Sequence, residues 1–128
     1  MFHDGYRDRV VRIAKKYMGI KYRDGGKTPW GFDCSGFVMF VYGKSGLNIP
    51  RTAIKQYRSG RKIDISHAKP GDLVFFNIYR NRISHVGVYL GDYRFIHSPS
   101  KGKKISYASM RNPYWRNRYV GTVTYVKE

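Results

Sequence analysis

Between residues 4 and 19 the apolar side chains of Val10, Ile13, Ala14, Tyr17 and Met18 recur at helical spacing, with Lys15 and Lys16 outside the stripe. That period predicts a first amphipathic helix. Residues 20–33 contain Gly25, Gly26, Pro29 and Gly31 and read as a loop too rich in breakers for regular structure. Over residues 34–42 the pattern changes, because Phe37, Val38, Phe40, Val41 and Tyr42 leave almost no polar face. A largely buried helix is predicted there, with Asp33 as its N-cap and Gly43 or Gly46 as its stop. Thr52 is placed to cap a short third helix through Tyr57, ended by Gly60.

After a turn at Pro70-Gly71 the period becomes that of strands, with β-prone runs at residues 72–79, 84–90, 94–98, 103–107 and 118–126. A turn around Gly91-Asp92 joins the second run to the third. Helices first and then an antiparallel sheet of about five or six strands predict an α+β fold. The chain has no internal repeat, and its 128 residues suit one compact domain, residues 1–128, better than two.

Charge adds a partner to this picture. Lys and Arg number 25 against 8 Asp and Glu, a formal net charge of +17, which implies something polyanionic nearby. The basic residues are scattered from Arg7 to Lys127, so a diffusely basic surface is expected, and no specific nucleic-acid complex. No stretch approaches the roughly 20 apolar residues of a membrane span. The first residues lack the apolar core of a signal peptide, so either a cytosolic chain or a missing leader is expected. A single cysteine excludes an intrachain disulfide and an all-cysteine metal cage.

That cysteine is the candidate for chemistry. If the buried helix begins at Cys34, the thiol lies at the positive end of the helix dipole, which predicts a lowered pKa and a nucleophile. A cysteine that merely fills space gains nothing from that position. Among the histidines, His3 lies near a terminus and His67 in a polar connection, and both are expected on the surface. His85 opens an apolar strand and His97 lies near the end of the next, with Gly91 midway between them. A hairpin centred on Gly91 would set the two imidazoles directly opposite one another on one face. One could then be a base and the other its orienter, in either assignment. Two further readings stay open: strand histidines satisfied by backbone groups, and a zinc site made with Cys34.

Three ordered segments carry a resemblance: Gly31-Phe32-Asp33-Cys34-Ser35-Gly36-Phe37-Val38, Pro70-Gly71-Asp72-Leu73-Val74-Phe75-Phe76, and Ser84-His85-Val86-Gly87-Val88-Tyr89-Leu90-Gly91. With Tyr22, Gly25-Gly26, Pro50-Arg51-Thr52, Gln56 and Phe95-Ile96-His97, the chain resembles the NlpC/P60 cell-wall peptidases from about its first helix to its last strand. The resemblance implies a papain-like fold with N-terminal helices packed on a C-terminal sheet, and a cysteine peptidase with Cys34 as nucleophile, His85 as base and His97 as the orienting residue. It implies hydrolysis of peptidoglycan stem peptides between γ-D-glutamate and a diamino acid, meso-diaminopimelate or lysine, through an acyl-thioenzyme, with no metal and no cofactor. The backbone amide of Cys34 is the expected oxyanion donor. Asp33, Ser35 and Tyr22 match residues that grip the free amine end of the stem peptide, and Asp33 can cap the helix as well. Arg51 matches a family position too, although a solvated helix-edge arginine is the expected account of it.

A monomer acting in the periplasm or the extracellular cell wall is implied, with the net charge holding it to anionic envelope polymers in place of a wall-binding module. Two alternatives remain: an amidase or acyl transferase using the same chemistry, and a basic module that holds wall polymer or nucleic acid without catalysis.

Overall fold

The protein is described from a computed structural model covering residues 5–79 and 81–126. Helix α1 (Tyr6–Lys16) buries Tyr6, Arg7, Val10 and Ala14, while Ile13, Tyr17 and Met18 of the predicted stripe pack half-buried against the same core. The glycine-rich segment after it is not wholly irregular. It holds a hairpin of two short strands, β1 (Lys27–Thr28) and β2 (Gly31–Phe32).

Helix α2 (Cys34–Ser45) starts and stops where its sequence signals stand. The Asp33 carboxylate accepts from the Gly36 N–H at 2.7 Å, and Gly46 ends the helix with φ of 109°. The glycine hairpin is pressed onto the first turn of this helix. A β-carbon at Gly36 would lie 2.0 Å from the Gly26 carbonyl oxygen, and that same oxygen accepts from the Asp33 N–H at 2.9 Å. Helix α3 (Ala53–Ser59) follows, capped by Thr52.

The remaining elements are β3 (Arg61–Ile63), β4 (Leu73–Phe76), β5 (His85–Gly91), β6 (Arg94–His97), β7 (Ser106–Ser109), helix α4 (Pro113–Arg116) and β8 (Tyr119–Thr124). Strands β3 to β8 form one antiparallel sheet in the order β3-β8-β4-β5-β6-β7. The α+β class and the six strands agree with expectation. Edge strand β3 was not expected, and its three residues carry too little pattern to be read.

Two strand bounds differ for local reasons. Strand β4 stops at Phe76, because Ile78 and Tyr79 give their amide hydrogens to the Ser84 hydroxyl instead of to a neighbouring strand. Strand β7 begins at Ser106 and not at Lys103, because Lys103 and Ile105 bond back to Tyr22 and Ile20.

Alternation along the strands divides the core in two. Leu73, Phe75, Val86, Val88 and Ile96 face α1 and α2. Val74, Phe76, Tyr89 and Phe95 face the other way and are covered in part by Trp115 of α4. A buried ion pair fastens helix to sheet: Arg7 Nε donates to Asp72 Oδ1 at 3.2 Å, and the Thr124 hydroxyl donates to the same oxygen at 2.6 Å. Buried charges are tolerated when partnered in this way.

Candidate active site

Helix α2 delivers Cys34 to the start of β5. The thiol donates to the Ser84 carbonyl oxygen at 3.7 Å, and the N–H groups of Val86, Ser35 and Cys34 itself favour the thiolate. Those amides do not prevail. Burial, followed by the neighbouring Asp33 carboxylate, pushes the thiol up to about 11, where the helix terminus alone had predicted a lowered value. Both effects act on the thiolate, and desolvation is the larger. The resting group at neutral pH is therefore the thiol.

Strands β5 and β6 hold the histidines. Val88 pairs with Ile96 and Tyr89 with Phe95, and the register then shifts before Gly91 pairs with Arg94. Asp92 and Tyr93, with φ of 53° and 60°, form the two-residue turn, as hairpins with two left-handed turn residues do. The hairpin thus centres on Asp92-Tyr93, not on Gly91. His97 falls beside Gly87, and His85 is its diagonal neighbour, still on the same face. The expectation of directly opposed rings is corrected to a diagonal pair. The rings meet all the same, with His85 Nε2 and His97 Nδ1 2.7 Å apart.

Both imidazoles are buried and neutral. Burial, then the neighbouring His97, holds His85 well below the usual histidine range, and burial brings His97 down to about 3. A neutral pair shares one hydrogen across the 2.7 Å contact. The arrangement that leaves His85 Nδ1 able to accept a proton puts hydrogen on His85 Nε2, which donates to His97 Nδ1, and places the His97 hydrogen on Nε2.

Sequence reasoning missed Trp115, which stacks on His85 at 5.2 Å and 27° and sets its edge to His97 at 5.1 Å. The signal for α4 was present, since Asn112 accepts from the Tyr114 N–H and Pro113 occupies the first turn. Among the described residues no group of three or more His, Cys, Asp or Glu is placed to hold a metal ion, and the two histidines spend their facing nitrogens on each other.

Beside Cys34 lies a second constellation. Arg51 is not a solvated helix-edge residue. Its Nη1 donates to Asp33 Oδ1 at 3.0 Å and to the Ser35 hydroxyl at 2.9 Å, and its Nη2 donates to Asp33 Oδ2 at 2.7 Å. The forked guanidinium matches a carboxylate in a way lysine would not. Gln56, fully buried, donates to the carbonyl oxygens of Ser35 at 3.1 Å and Pro50 at 2.8 Å, tying this loop to the first turn of α2. Tyr22 is half-buried, and its hydroxyl is pushed up to about 12 by burial and then by the charges of Cys34, Asp33 and Asp24. The structure therefore gathers Cys34, Asp33, Ser35, Arg51 and Tyr22 around one helix end and joins His85 to His97. His67 is exposed on a single helical turn, as expected, and His3 lies outside the described residues.

The chain is 42% identical over 115 residues to the gamma-DL-glutamyl hydrolase of Bacillus subtilis (strain 168), covering 88% of this chain and 28% of that protein. It is 41% identical over 130 residues to the murein DD-endopeptidase MepH of Escherichia coli (strain K12), covering 92% of this chain and 48% of that one. The chain thus spans about a quarter and about half of these relatives. An NlpC/P60 family protein from Bacillus cereus ATCC 10987 superposes with a TM-score of 0.90 at 32% identity, over 94% of this chain and 40% of that one. Residues 19–124 match the NlpC/P60 family, and the chain belongs to it.

Proposed function

We propose that this chain hydrolyses peptidoglycan stem peptides at the bond between γ-D-glutamate and a diamino acid, with Cys34 as nucleophile, His85 as base and His97 as the residue that orients it. The hydrogen-bonded His85–His97 pair carries this reading, together with the helix-opening Cys34, whose thiol reaches the Ser84 carbonyl one residue before His85. In the first step His85 Nδ1 takes the thiol proton as sulfur attacks the carbonyl carbon. The oxygen that gains charge is met by the Cys34 backbone amide at the helix N-terminus. The C–N bond then breaks as His85 returns its proton to the leaving amine, and a thioester remains. Water, deprotonated by the same imidazole, cleaves the thioester, and the proton returns to sulfur.

A resting thiol and a neutral imidazole suit this order, since the proton moves in the same step as the attack. His97 accepts from His85 Nε2–H and so fixes the tautomer and ring angle. Asp33, Ser35 and Tyr22 receive the amine end of the stem peptide. Arg51 acts on it through the carboxylate and hydroxyl that it holds. The site of action is the cell wall or periplasm, where the +17 charge favours anionic envelope polymers. Binding to sacculi is expected to weaken as salt rises, and salt-insensitive binding would remove charge from the account.

The test is cleavage of defined muropeptides by the protein and by Cys34→Ala, followed by mass spectrometry. A D,D-crosslinked muropeptide belongs in the set, because the two relatives named above bear different bond names. Release of the diamino acid half from L-alanyl-γ-D-glutamyl substrates by the unmodified protein alone supports the reading. Cleavage only of the D,D crosslink, or cleavage that survives Cys34→Ala, overturns it.

A further inference from the structure

A groove of about 350 Å³ opens beside His97, walled by Tyr79, Tyr107, Tyr114 and Trp115, with Lys103 at its side. It lies apart from the groove at Tyr22, whose lining includes Trp30 and Lys101, and the basic connection between β6 and β7 supplies residues to both. Tyr79, Tyr107 and Tyr114 are exposed at 63%, 44% and 44%, an unusual density of open aromatic surface for one patch of a small protein.

The polar character of this groove has one sign. Lys103 is exposed, and its ammonium has no partner among the described residues. Guanidinium groups add positive charge behind the walls, with Arg94 over the Tyr107 ring at 5.3 Å and Arg118 over the Tyr114 ring at 3.8 Å. Among the described residues, no acidic side chain lines it. His97 lines it as well, and because Nδ1 is engaged by His85, the nitrogen left over is Nε2, which has no hydrogen-bond partner among the described residues. In the tautomer that frees His85 as a base, that nitrogen is an N–H donor. Aromatic walls, an ammonium and an N–H donor together suit a short organic group that ends in a carboxylate.

Position says which part of a substrate that is. His85 must hand its proton to the departing amine, so the amine-bearing half has to leave next to His85, and two walls of this groove, His97 and Trp115, pack directly on that ring. Resting on the hydrolytic reading above, we propose that the groove holds the leaving diamino acid through a carboxylate, which pairs with Lys103 and the His97 N–H. Lys103 is thereby a specificity-determining residue, and substrates whose leaving half has lost its carboxylates by amidation are disfavoured.

The probes are L-alanyl-γ-D-glutamyl-diaminopimelate with the leaving-half carboxylates free, and its leaving-half diamide. One charge-assisted hydrogen bond corresponds to about a tenfold ratio in kcat/KM. We expect the free acid to exceed the diamide by at least about that factor, and Lys103→Gln to bring the ratio near one. Lys16→Gln, which removes the same charge from an exposed position of α1, should leave the ratio as it is. Cleavage of both probes with no preference, or a preference that Lys103→Gln does not reduce or that Lys16→Gln reduces equally, overturns the groove assignment and leaves the peptidase reading standing.

A binding arm separates the two claims. Titration of Cys34→Ala with each probe, followed by tryptophan fluorescence and calorimetry, should show the same preference and the same dependence on Lys103. If the unmodified protein cleaves neither probe but this preference in binding appears, the groove is upheld and the hydrolytic reading falls. If neither probe is cleaved and binding shows no preference, the groove assignment falls as well.

Discussion

His85 Nε2 and His97 Nδ1 meet at 2.7 Å across a diagonal of the β5–β6 hairpin, not across a rung. The displacement comes from the turn at Asp92-Tyr93 and the irregularity between Tyr89 and Gly91 that precedes it. A displacement of two residues keeps both side chains on one face, whereas one residue would have turned His97 toward the helices. His97 therefore stands beside Gly87, where no side chain comes between the two imidazoles. A β-carbon at Gly87 would approach that of His97 to 3.3 Å and the Phe95 ring to 2.6 Å.

The state of Cys34 can be read from its alkylation. With the thiol pushed up to about 11 by burial and Asp33, iodoacetamide should react slowly at pH 7, and the rate should rise about tenfold per pH unit toward that value, since the thiolate is the reacting form. A plateau below pH 7 would instead mean a resting thiolate–imidazolium pair.

The buried histidines make stability depend on pH. Their folded pKa values lie below the unfolded value near 6.5, so above that pH both states are neutral and the fold loses nothing. Below it the unfolded chain takes up protons that the folded chain refuses, and stability falls as pH falls below about 6.5, for His97 by about 1 kcal/mol per pH unit until about 3, with His85 acting in the same direction. Urea midpoints measured between pH 7 and 4 should drop accordingly, and His97→Gln should have the shallower slope. An unchanged slope in that variant would place the pH dependence elsewhere.

What could be read before the fold was known followed from signals that are local in the chain. Asp33, Cys34 and Gly46 announce a capped, buried helix because capping and left-handed stops depend on the residues at the helix ends themselves. Period-two patterns revealed most of the sheet and the shared face of the histidines. What escaped depends on contacts distant in sequence. Whether Cys34 is raised or lowered turns on the burial that β5 imposes, and Arg51 finds Asp33 from 18 positions further along the chain. Trp115 reaches His85 only because β8 returns to the centre of the sheet beside β4 and carries α4 across the second core.

Trp115 should matter to both histidines. Its ring covers His85 and meets Phe76 at 4.9 Å and Phe95 at 5.3 Å. Trp115→Ala would admit water to the pair, raise both histidine pKa values toward their ordinary range and cost about 2 kcal/mol of stability, since the ring is only half-buried. Activity should fall with an acidic limb displaced toward neutral pH, and Trp115→Phe should restore most of it. Equal losses in the two variants, with no displacement of the limb, would reduce Trp115 to a packing residue.

Arg51 governs how strongly Asp33 acts on the thiol. The carboxylate already raises the Cys34 pKa despite being paired, so Arg51→Met leaves a bare negative charge next to the nucleophile and should slow both alkylation and turnover, the latter by about tenfold. The pair is partly exposed, with side chains at 34% and 18%, so screening keeps the loss of stability to roughly 1 kcal/mol. Arg51→Lys should fall between, because an ammonium supplies the charge without the fork. The deciding variant is Arg51→Met combined with Asp33→Asn, in which asparagine still caps α2 but carries no charge. If electrostatics is the cause, alkylation of Cys34 in the double variant returns to at least the unmodified rate. If it stays as slow as in Arg51→Met alone, Arg51 acts by holding the loop in place and not through charge.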